Sequence, residues 1–388
     1  MKTAHALFCG VICILLIALA FGCAEKEETE VIKIGAVFAV TGPAAKLGGP
    51  EKNTAEMIVQ QINASGGVNG RMIELIVEDD QANPENNQNA VKKLITLDEV
   101  AAIIGPSTSG CAFAAAPICE EYGVPLVSCA AAYAQLFPDK DQSKPMYKYV
   151  FKTPQNDSHC ARRIFQDCKK KGYSKIALTT CASGFGAAGR QELLKFAPEF
   201  GMNIVADETY PADASDLTPQ LTSIRAAKPD AIINWTIKPV QGLIAGQIKQ
   251  LNMKVQLYQS HGFGNTGYIT EAAEGVLFPA GRLLVVGDID KSHVQYDVLT
   301  KFKKDYESKY GEEVSTFAGH AYDALYLIIN AIKAKGADRD SIREGLEATS
   351  NFSGTAGVFN MSPTEHCGLT DDAFALITVK DGEFRLAK

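Results

Sequence analysis

Long basic runs are absent from this 388-residue chain, and the longest is the three-residue stretch Lys169–Lys171. The net charge at pH 7 is −7, and the pI is near 5.5. A protein that binds nucleic acid needs a basic patch or stripe to attract the phosphates. The charge pattern therefore gives no reason to expect a nucleic acid as a partner.

Motifs that bind metals or perform hydrolysis are also missing. The chain has no CxxC pair, no Cys/His spacing typical of zinc sites, and no G-x-S-x-G elbow of a hydrolase. We therefore predict no metal site, no cofactor and no catalytic constellation. Two of the scattered histidines, His320 and His366, are expected to be structural or surface residues; the others are His159, His261 and His293, apart from His5 near the start of the chain.

The one long apolar run lies at the start of the chain. Residues 7–23 read LFCGVICILLIALAFGC and follow Lys2, which is the order of an export signal. Their apolar core is too short for a comfortable membrane span of about 20 residues. The residues before Cys23 resemble a bacterial lipobox, in which the cysteine is lipidated and becomes the first residue. We predict a signal peptide at 1–22 and a solvated tether at 23–30, with an uncleaved anchor as the alternative.

The protein is therefore expected in the periplasm or at the cell surface, held to a membrane by its amino-terminal lipid. About 366 residues remain after the signal, which favours two domains of ordinary size. Besides the lipidated Cys23, an odd number of cysteines remains, so at least one thiol stays free and no bridge can be assigned. They are Cys111, Cys119, Cys129, Cys160, Cys168, Cys181 and Cys367. Cys168 lies on an apolar helical stripe and is predicted to be a buried free thiol.

From residue 31 the chain alternates short β-branched runs with amphipathic helical stretches. Most of the runs are apolar on both faces, as parallel strands covered by helices are. Repeated βα units predict an α/β fold with doubly wound parallel sheets. Strands are predicted at 31–38, 73–78, 101–105, 124–128, 175–181, 203–208, 230–235 and 254–258, and helices at 51–64, 157–171, 187–200, 216–227, 239–251 and 316–335.

The βα pattern pauses at 137–151 and again at 278–287, and we interpret both pauses as crossings between two α/β lobes. The amino-terminal lobe would contain residues 31–151 and 282–357. The carboxyl-terminal lobe would contain residues 152–281 and 358–388.

Several segments, in order, resemble the substrate-binding lipoproteins of branched-chain amino-acid-type ABC transporters. They include IKIGAVFAVTGPAAKLGG from residue 32, IIGPSTSG from residue 103 and AGHAYDALYLIINAI from residue 318. The resemblance covers nearly all of residues 31–388. It implies the type I periplasmic-binding-protein fold, in which a multi-strand hinge joins two lobes. It also implies a monomer without enzymatic activity that delivers a small ligand to ABC permease subunits.

The serine-rich loop 106–110 is the strongest candidate for a ligand contact. It follows a strand and opens a helix, where hydroxyl and backbone N–H groups attract an anion such as a carboxylate. An N-cap without any ligand is the alternative. The resemblance gives Ser109 the role of the carboxylate-binding serine and places Ser107 and Thr108 beside it. It also puts Ala130, next to Ala131, where a backbone group contacts the ligand.

The other candidate residues depart from the pattern of the amino-acid binders. Ala132 replaces a threonine, Leu47 replaces an aromatic residue, and Phe185 lacks the hydroxyl of a tyrosine. His261 stands where those proteins have an acidic residue that pairs with the ligand's ammonium group. No Asp or Glu occurs at 259–270.

These departures predict a carboxylate ligand without an α-amino group, because an unpaired buried ammonium costs several kcal/mol. An aromatic or short aliphatic acid would fit, with Leu47, Phe185 and Trp235 lining an apolar pocket. His261 would donate a hydrogen bond to it. A branched-chain or other amino acid is the alternative, if an acidic residue from elsewhere in the chain reaches the site.

Two other functions compete with this interpretation. Residues 184–189 read GFGAAG with Asp207 about 20 residues further on, which is the pattern of a nucleotide-dependent oxidoreductase. However, the motif follows the fifth strand rather than the first, and an exported protein has no ready supply of NAD. A ligand-sensing domain with the same fold would need a separate receptor as its partner.

The substitution Cys23→Ala is expected to release the protein from the membrane, because a lipid on this thiol is the predicted anchor. Intact-mass spectrometry of the membrane fraction should show a diacylated amino terminus at Cys23. The matched control, Cys9→Ala, changes only the signal peptide and should leave the mature mass unchanged. A lipid-free protein that begins at another residue would contradict the prediction.

Overall fold

The structure, a computed structural model, describes residues 31–387. The predicted signal peptide, the tether and Cys23 lie outside these residues. The described chain forms an α/β protein with two main sheets and a short two-stranded one. This architecture confirms the fold class predicted from the βα alternation.

The first sheet contains five strands in the order β2-β1-β3-β4-β5, and every neighbouring pair is parallel. Consecutive residues of β1 are buried on both faces, as the continuous apolar sequence predicted. The strands are β1 (Ile32–Phe38), β2 (Ile73–Asp79), β3 (Ala102–Ile104), β4 (Leu126–Ser128) and β5 (Val150–Lys152).

The second sheet has seven strands in the order β14-β13-β10-β9-β8-β6-β7. Neighbouring strands pair in parallel along the series β10, β9, β8, β6 and β7. Strands β13 and β14 extend the sheet beyond β10 and pair antiparallel. The strands are β6 (Lys175–Cys181), β7 (Asn203–Tyr210), β8 (Ala231–Trp235), β9 (Gln256–Gln259), β10 (Leu277–Ala280), β13 (Ala375–Lys380) and β14 (Glu383–Leu386). The separate pair consists of β11 (Phe352–Ser353) and β12 (Val358–Phe359).

Ten α-helices connect and cover the sheets in residues 31–387, and none of them is long and apolar enough to cross a membrane. They are α1 (Ala45–Ala64), α2 (Pro84–Thr96), α3 (Ser109–Tyr122), α4 (Asp157–Lys170), α5 (Gly184–Phe196), α6 (Thr218–Ala227), α7 (Ile244–Gln250), α8 (Tyr296–Tyr310), α9 (Thr316–Lys335) and α10 (Arg339–Glu347). All seven cysteines of this part of the chain are free and buried, as predicted for Cys168.

Helix α5 begins three residues earlier than the sequence predicted. Its N-cap is Ser183, whose side-chain oxygen accepts a hydrogen bond of 3.2 Å from the backbone N–H of Gly186. Such a cap satisfies one of the backbone donors that every helix start leaves open. The GFGAAG segment is therefore the first part of a helix and not a loop.

Three chain segments cross between the sheets and contact one another. The first follows β5, and there the Gln155 side chain donates a hydrogen bond of 2.7 Å to the carbonyl of Ala356 in the third segment. A Cβ on Gly281, in the second segment, would lie 3.1 Å from the Gln155 amide nitrogen. The lobe boundaries drawn from the sequence remain a prediction. Side chains from the segment at 359–373 pack in the hydrophobic cluster of the first sheet, although the sequence assigned this segment to the second lobe.

The two lobes touch along the edge of the cleft between them. The Lys46 ammonium donates a hydrogen bond of 2.5 Å to the carbonyl of Gly267, and the Asn265 amide donates one of 3.2 Å to the carbonyl of Lys46. A Cβ on Gly184 would lie only 2.9 Å from the backbone nitrogen of Gly110. The lobes are therefore closed against each other.

Candidate functional site

A narrow cavity with a volume of about 20 Å³ lies between the closed lobes, where the carboxyl ends of strands from both sheets meet. This is where ligands bind in open α/β sheets. Six residues predicted from the sequence line it, namely Leu47, Ser107, Ser109, Ala131, Phe185 and His261. Six further residues were not predicted, namely Cys129, Pro154, Ile237, Gly262, Phe317 and His320.

The remaining four predicted residues do not line the cavity, although each lies close to a residue that does. Thr108 is the N-cap residue of α3, and its side chain makes no capping hydrogen bond. The backbone N–H of Ala130 is already bonded to Ser128, and that of Ala132 donates a hydrogen bond of 3.2 Å to Ser109 Oγ. The Trp235 ring packs behind His261 and Phe185.

The end of the cavity in the first lobe is suited to an anion. Ser109, which lines the cavity, is the first residue of α3, and no side chain caps the amino terminus of this helix, where backbone N–H groups favour an anion. Ser109 Oγ accepts its bond from Ala132, and that bond does not use the hydroxyl hydrogen. A ligand oxygen at this end could therefore receive hydrogen bonds from both the hydroxyl and the helix.

Glu51, on α1, lies directly behind Ser107 and was not predicted as a site residue. Its Oε2 forms a short hydrogen bond with Ser107 Oγ, which also accepts a bond of 3.0 Å from the backbone N–H of Ala39. Burial raises the pKa of the Glu51 carboxyl to about 8; the Ser107 bond lowers it and the nearby Asp80 charge raises it. The group is therefore mostly uncharged at neutral pH.

The opposite end of the cavity is formed by His261, which follows β9. Its imidazole is enclosed by the rings of Phe185, Trp235 and Phe374, whose centroids lie 5.2, 5.6 and 5.5 Å away in edge-on arrangements. Neither ring nitrogen has a hydrogen-bond partner among residues 31–387. Burial lowers the pKa of His261 well below its usual value, and the Lys152 charge adds to this effect. The ring is therefore neutral, and it can both donate and accept a hydrogen bond.

Asp157, at the start of α4, is the carboxyl group closest to this histidine. Its Oδ1 lies 3.7 Å from His261 Nε2, which is beyond hydrogen-bond distance, and the neutral ring makes no ion pair with it. Burial raises the pKa of Asp157 to about 7, although the Lys152 charge opposes the shift. Lys152 itself is buried and donates hydrogen bonds to Pro154 and Asn156.

His320, which the sequence predicted to be a structural or surface residue, is buried and lies in the wall of the cavity. Its Nδ1 has no partner within the described chain, and burial lowers its pKa to about 3. Phe317 lies one turn earlier on the same face of α9. The helical spacing of these two residues in the predicted helix 316–335 was the available signal, but an apolar helix in an ordinary core also carries such pairs.

The glycines of the GFGAAG segment serve close packing. A Cβ on Gly186 would lie 1.9 Å from the carbonyl oxygen of Cys181, and one on Gly189 would lie 2.1 Å from the Trp235 ring. Both positions exclude any side chain, and neither leaves space for a phosphate. The GFGAAG segment therefore does not form a dinucleotide-binding loop in this structure.

A larger and more open groove lies at the other edge of the second sheet. It has a volume of about 660 Å³ near the amino ends of β8 and β9, and Asp230, Lys254 and Gln256 line it. Ligands of α/β proteins sit at the carboxyl ends of the strands, so the smaller cavity is the better candidate site. No cluster of His, Cys, Asp and Glu within residues 31–387 could hold a metal ion.

Comparisons with known proteins agree with this geometry. The family model described as periplasmic binding protein matches residues 31–383. The Leu/Ile/Val-binding protein homolog 7 of Brucella suis biovar 1 (strain 1330) is 26% identical over 360 residues, which cover 87% of this chain and 86% of that protein.

Two solved structures extend the similarity to the fold. An extracellular ligand-binding receptor from Rhodopseudomonas palustris HaA2 matches with a TM-score of 0.85 and 25% identity, over 92% of this chain and 100% of that one. The branched-chain amino acid transporter substrate binding protein LivJ from Streptococcus pneumoniae, in complex with isoleucine, matches with a TM-score of 0.78 and 26% identity over the same shares.

The raised pKa of Asp157 predicts a pH-dependent stability. Between pH 4 and 7 the unfolded state loses this proton while the folded state keeps it, so the free energy of unfolding falls as the pH rises. Asp157→Asn cannot ionise and should gain about 3 kcal/mol relative to the wild type over this range. Urea unfolding at pH 4, 5.5 and 7 measures the difference. A variant whose stability parallels that of the wild type at all three pH values would refute the assignment.

Proposed function

The chain belongs to the periplasmic binding protein family, and we propose that it closes its two lobes over a small organic carboxylate for an ABC importer. It acts outside the cytoplasm as a solute-binding receptor, in keeping with the family and its structural relatives. Anchoring through a lipid on Cys23, a monomeric state and the absence of any catalytic step are parts of the same proposal.

One observation carries the choice of ligand. Among residues 31–387, no Asp, Glu, Lys or Arg lines the cavity, and its two histidines are neutral. A zwitterionic amino acid would place its ammonium in this enclosed space without a carboxylate in contact, at a cost of several kcal/mol. A carboxylate without an α-amino group avoids that cost, because its charge can sit at the amino terminus of α3.

Each end of the cavity would then recognise a different part of the ligand. The ligand's carboxylate accepts hydrogen bonds from Ser109 and from the backbone at the start of α3. Its other end meets Leu47 and Phe185, which favour an aromatic or short aliphatic group. His261 supplies a neutral donor or acceptor for a carbonyl or hydroxyl on that group.

An amino-acid ligand is the second candidate, and one contact favours it. Asp157 Oδ1 is buried 3.7 Å from His261 Nε2 and has no hydrogen-bond partner in the described part of the chain, so a small movement of the ring would let this carboxyl approach the cavity. The isoleucine complex of the Streptococcus pneumoniae relative is consistent with this alternative. A ligand-sensing role beside a separate receptor would use the same site.

Titration calorimetry with matched ligands tests the ligand class. Benzoate, 4-hydroxybenzoate and 4-methyl-2-oxopentanoate should include a binder, whereas leucine should bind weakly, because its ammonium lacks a partner. Ser109→Ala should weaken binding of the acid by about 1–3 kcal/mol, the cost of leaving a buried oxygen without its donor. Tight leucine binding together with no response to the acids would exclude the proposed class.

The closure of the lobes has its own test at Gly184. A Cβ there would meet the backbone of Gly110 at 2.9 Å in the closed form, so Gly184→Ala should lower ligand affinity about tenfold or more. Its unfolding temperature without ligand should stay close to that of the wild type. The emission of Trp235, the single tryptophan, reports binding.

Gly49→Ala is the matched control for this variant. It also lies in a helix, and an added Cβ would meet nothing within 4 Å. Equal affinities of the Gly184 and Gly49 variants would show that the contact between the lobes does not limit closure.

A further inference from the structure

Behind the anion end of the cavity lies a carboxyl group that the proposed function does not yet use. Glu51 is fully buried on α1, and its Oε1 has no hydrogen-bond partner within the described chain. Its other oxygen is hydrogen-bonded to Ser107 Oγ, and Ser107 lines the cavity. A carboxylate placed so close to a bound anion would repel it, unless the group carries a proton.

The hydrogen bonds around Ser107 depend on where that proton lies. The Ser107 oxygen already accepts a bond from the backbone N–H of Ala39, and it can accept one more and donate one. If Glu51 is ionised, the Ser107 hydroxyl must donate to it and has no hydrogen left for a ligand. If Glu51 is protonated, it donates to Ser107, and the serine hydrogen is free to point into the cavity.

The surroundings of Glu51 favour the protonated form. The titratable groups that face it are the Asp80 carboxyl, after β2, and the Cys129 thiol, after β4. Both become negative on ionisation, so neither would stabilise a second negative charge. On its own helix, the nearest cation is Lys52, which pairs with Glu56 near the surface at 3.1 Å. An unpaired buried carboxylate is unfavourable, whereas a hydrogen-bonded acid is not.

We propose that Glu51 is a specificity-determining residue whose protonated carboxyl donates a hydrogen bond to Ser107, which leaves the Ser107 hydroxyl free to donate to an anionic ligand. The inference rests on the proposed carboxylate ligand and adds a condition for its binding. Protonation of Glu51 both supplies a donor and removes a repelling charge. An ammonium ligand at this end would have the opposite requirement, because it would bind more tightly to the ionised form.

The proposal predicts that carboxylate affinity depends on pH in one direction. The probes are benzoate and 4-methyl-2-oxopentanoate, which are ionised above pH 6 and have no other group that titrates up to pH 9.5, so the ligand's own charge does not change; 4-hydroxybenzoate is left out because its phenol ionises in this range. Because the pKa of Glu51 is about 8, the dissociation constant of the tightest-binding acid should rise about tenfold for each pH unit above that value. Titration calorimetry between pH 6.5 and 9.5 measures this rise on the full-length exported protein.

Glu51→Gln is the decisive variant. Its amide has the shape of the protonated acid and donates to Ser107 at every pH, so its affinity should match that of the wild type at pH 6.5. It should then change less than about twofold up to pH 9.5. Ser107→Ala is the second variant, and it should bind more weakly than the wild type at pH 6.5. The Ser107 bond lowers the pKa of Glu51, so this pKa should be higher in Ser107→Ala. Glu51 should then stay uncharged over more of the tested pH range, and most of the pH dependence of the affinity should be lost.

Asp157 lies on the other side of the cavity, and its pKa is about 7. Asp157→Asn is therefore the control for a second titrating carboxyl group, and this variant should keep the fall in affinity above pH 8. A wild-type affinity that is constant from pH 6.5 to 9.5, or an equal fall in Glu51→Gln, would overturn the inference and leave the proposed function standing. Absence of binding by every acid at every pH would overturn both. Affinity that rises with pH would indicate a cationic ligand group and would also refute the inference.

Discussion

Polar atoms buried between the two lobes must find hydrogen-bond partners, and the closed cleft supplies too few of them. Within the described chain, neither ring nitrogen of His261 has a hydrogen-bond partner. The same is true of three other buried atoms, namely His320 Nδ1, Asp157 Oδ1 and Glu51 Oε1. Each such atom costs free energy in a closed protein without ligand. A ligand that bonds to the atoms in the cavity wall recovers part of this cost. The closed form is thereby coupled to occupancy of the cavity.

Closure itself depends on small residues at the contact between the lobes. Gly184 and Gly110 let the start of α5 approach the start of α3, and three neighbouring chain crossings form the hinge. A ligand can shift such an equilibrium only by binding the closed form better than the open one. Groups from both lobes, such as Ser109 and His261, meet the same cavity, and this gives the closed form its advantage.

The sequence was sufficient to predict the fold and half of the cavity wall. Apolar strands that alternate with amphipathic helices determined the parallel sheets, and Ser109 and His261 follow strands whose ends meet in the cleft. Glu51 and His320 were missed because they lie on helices, where a polar residue on a buried face has no distinctive local pattern. Their effect arises from burial, which only the packing of α1 and α9 reveals.

The central claim is that one small carboxylate without an α-amino group occupies the closed cleft. The most direct measurement is mass spectrometry of small molecules released by denaturing protein that was purified without added ligand. We expect one such acid per protein chain, lost or reduced when Ser109 is replaced by alanine. A stoichiometric amino acid released from the same preparation would contradict it.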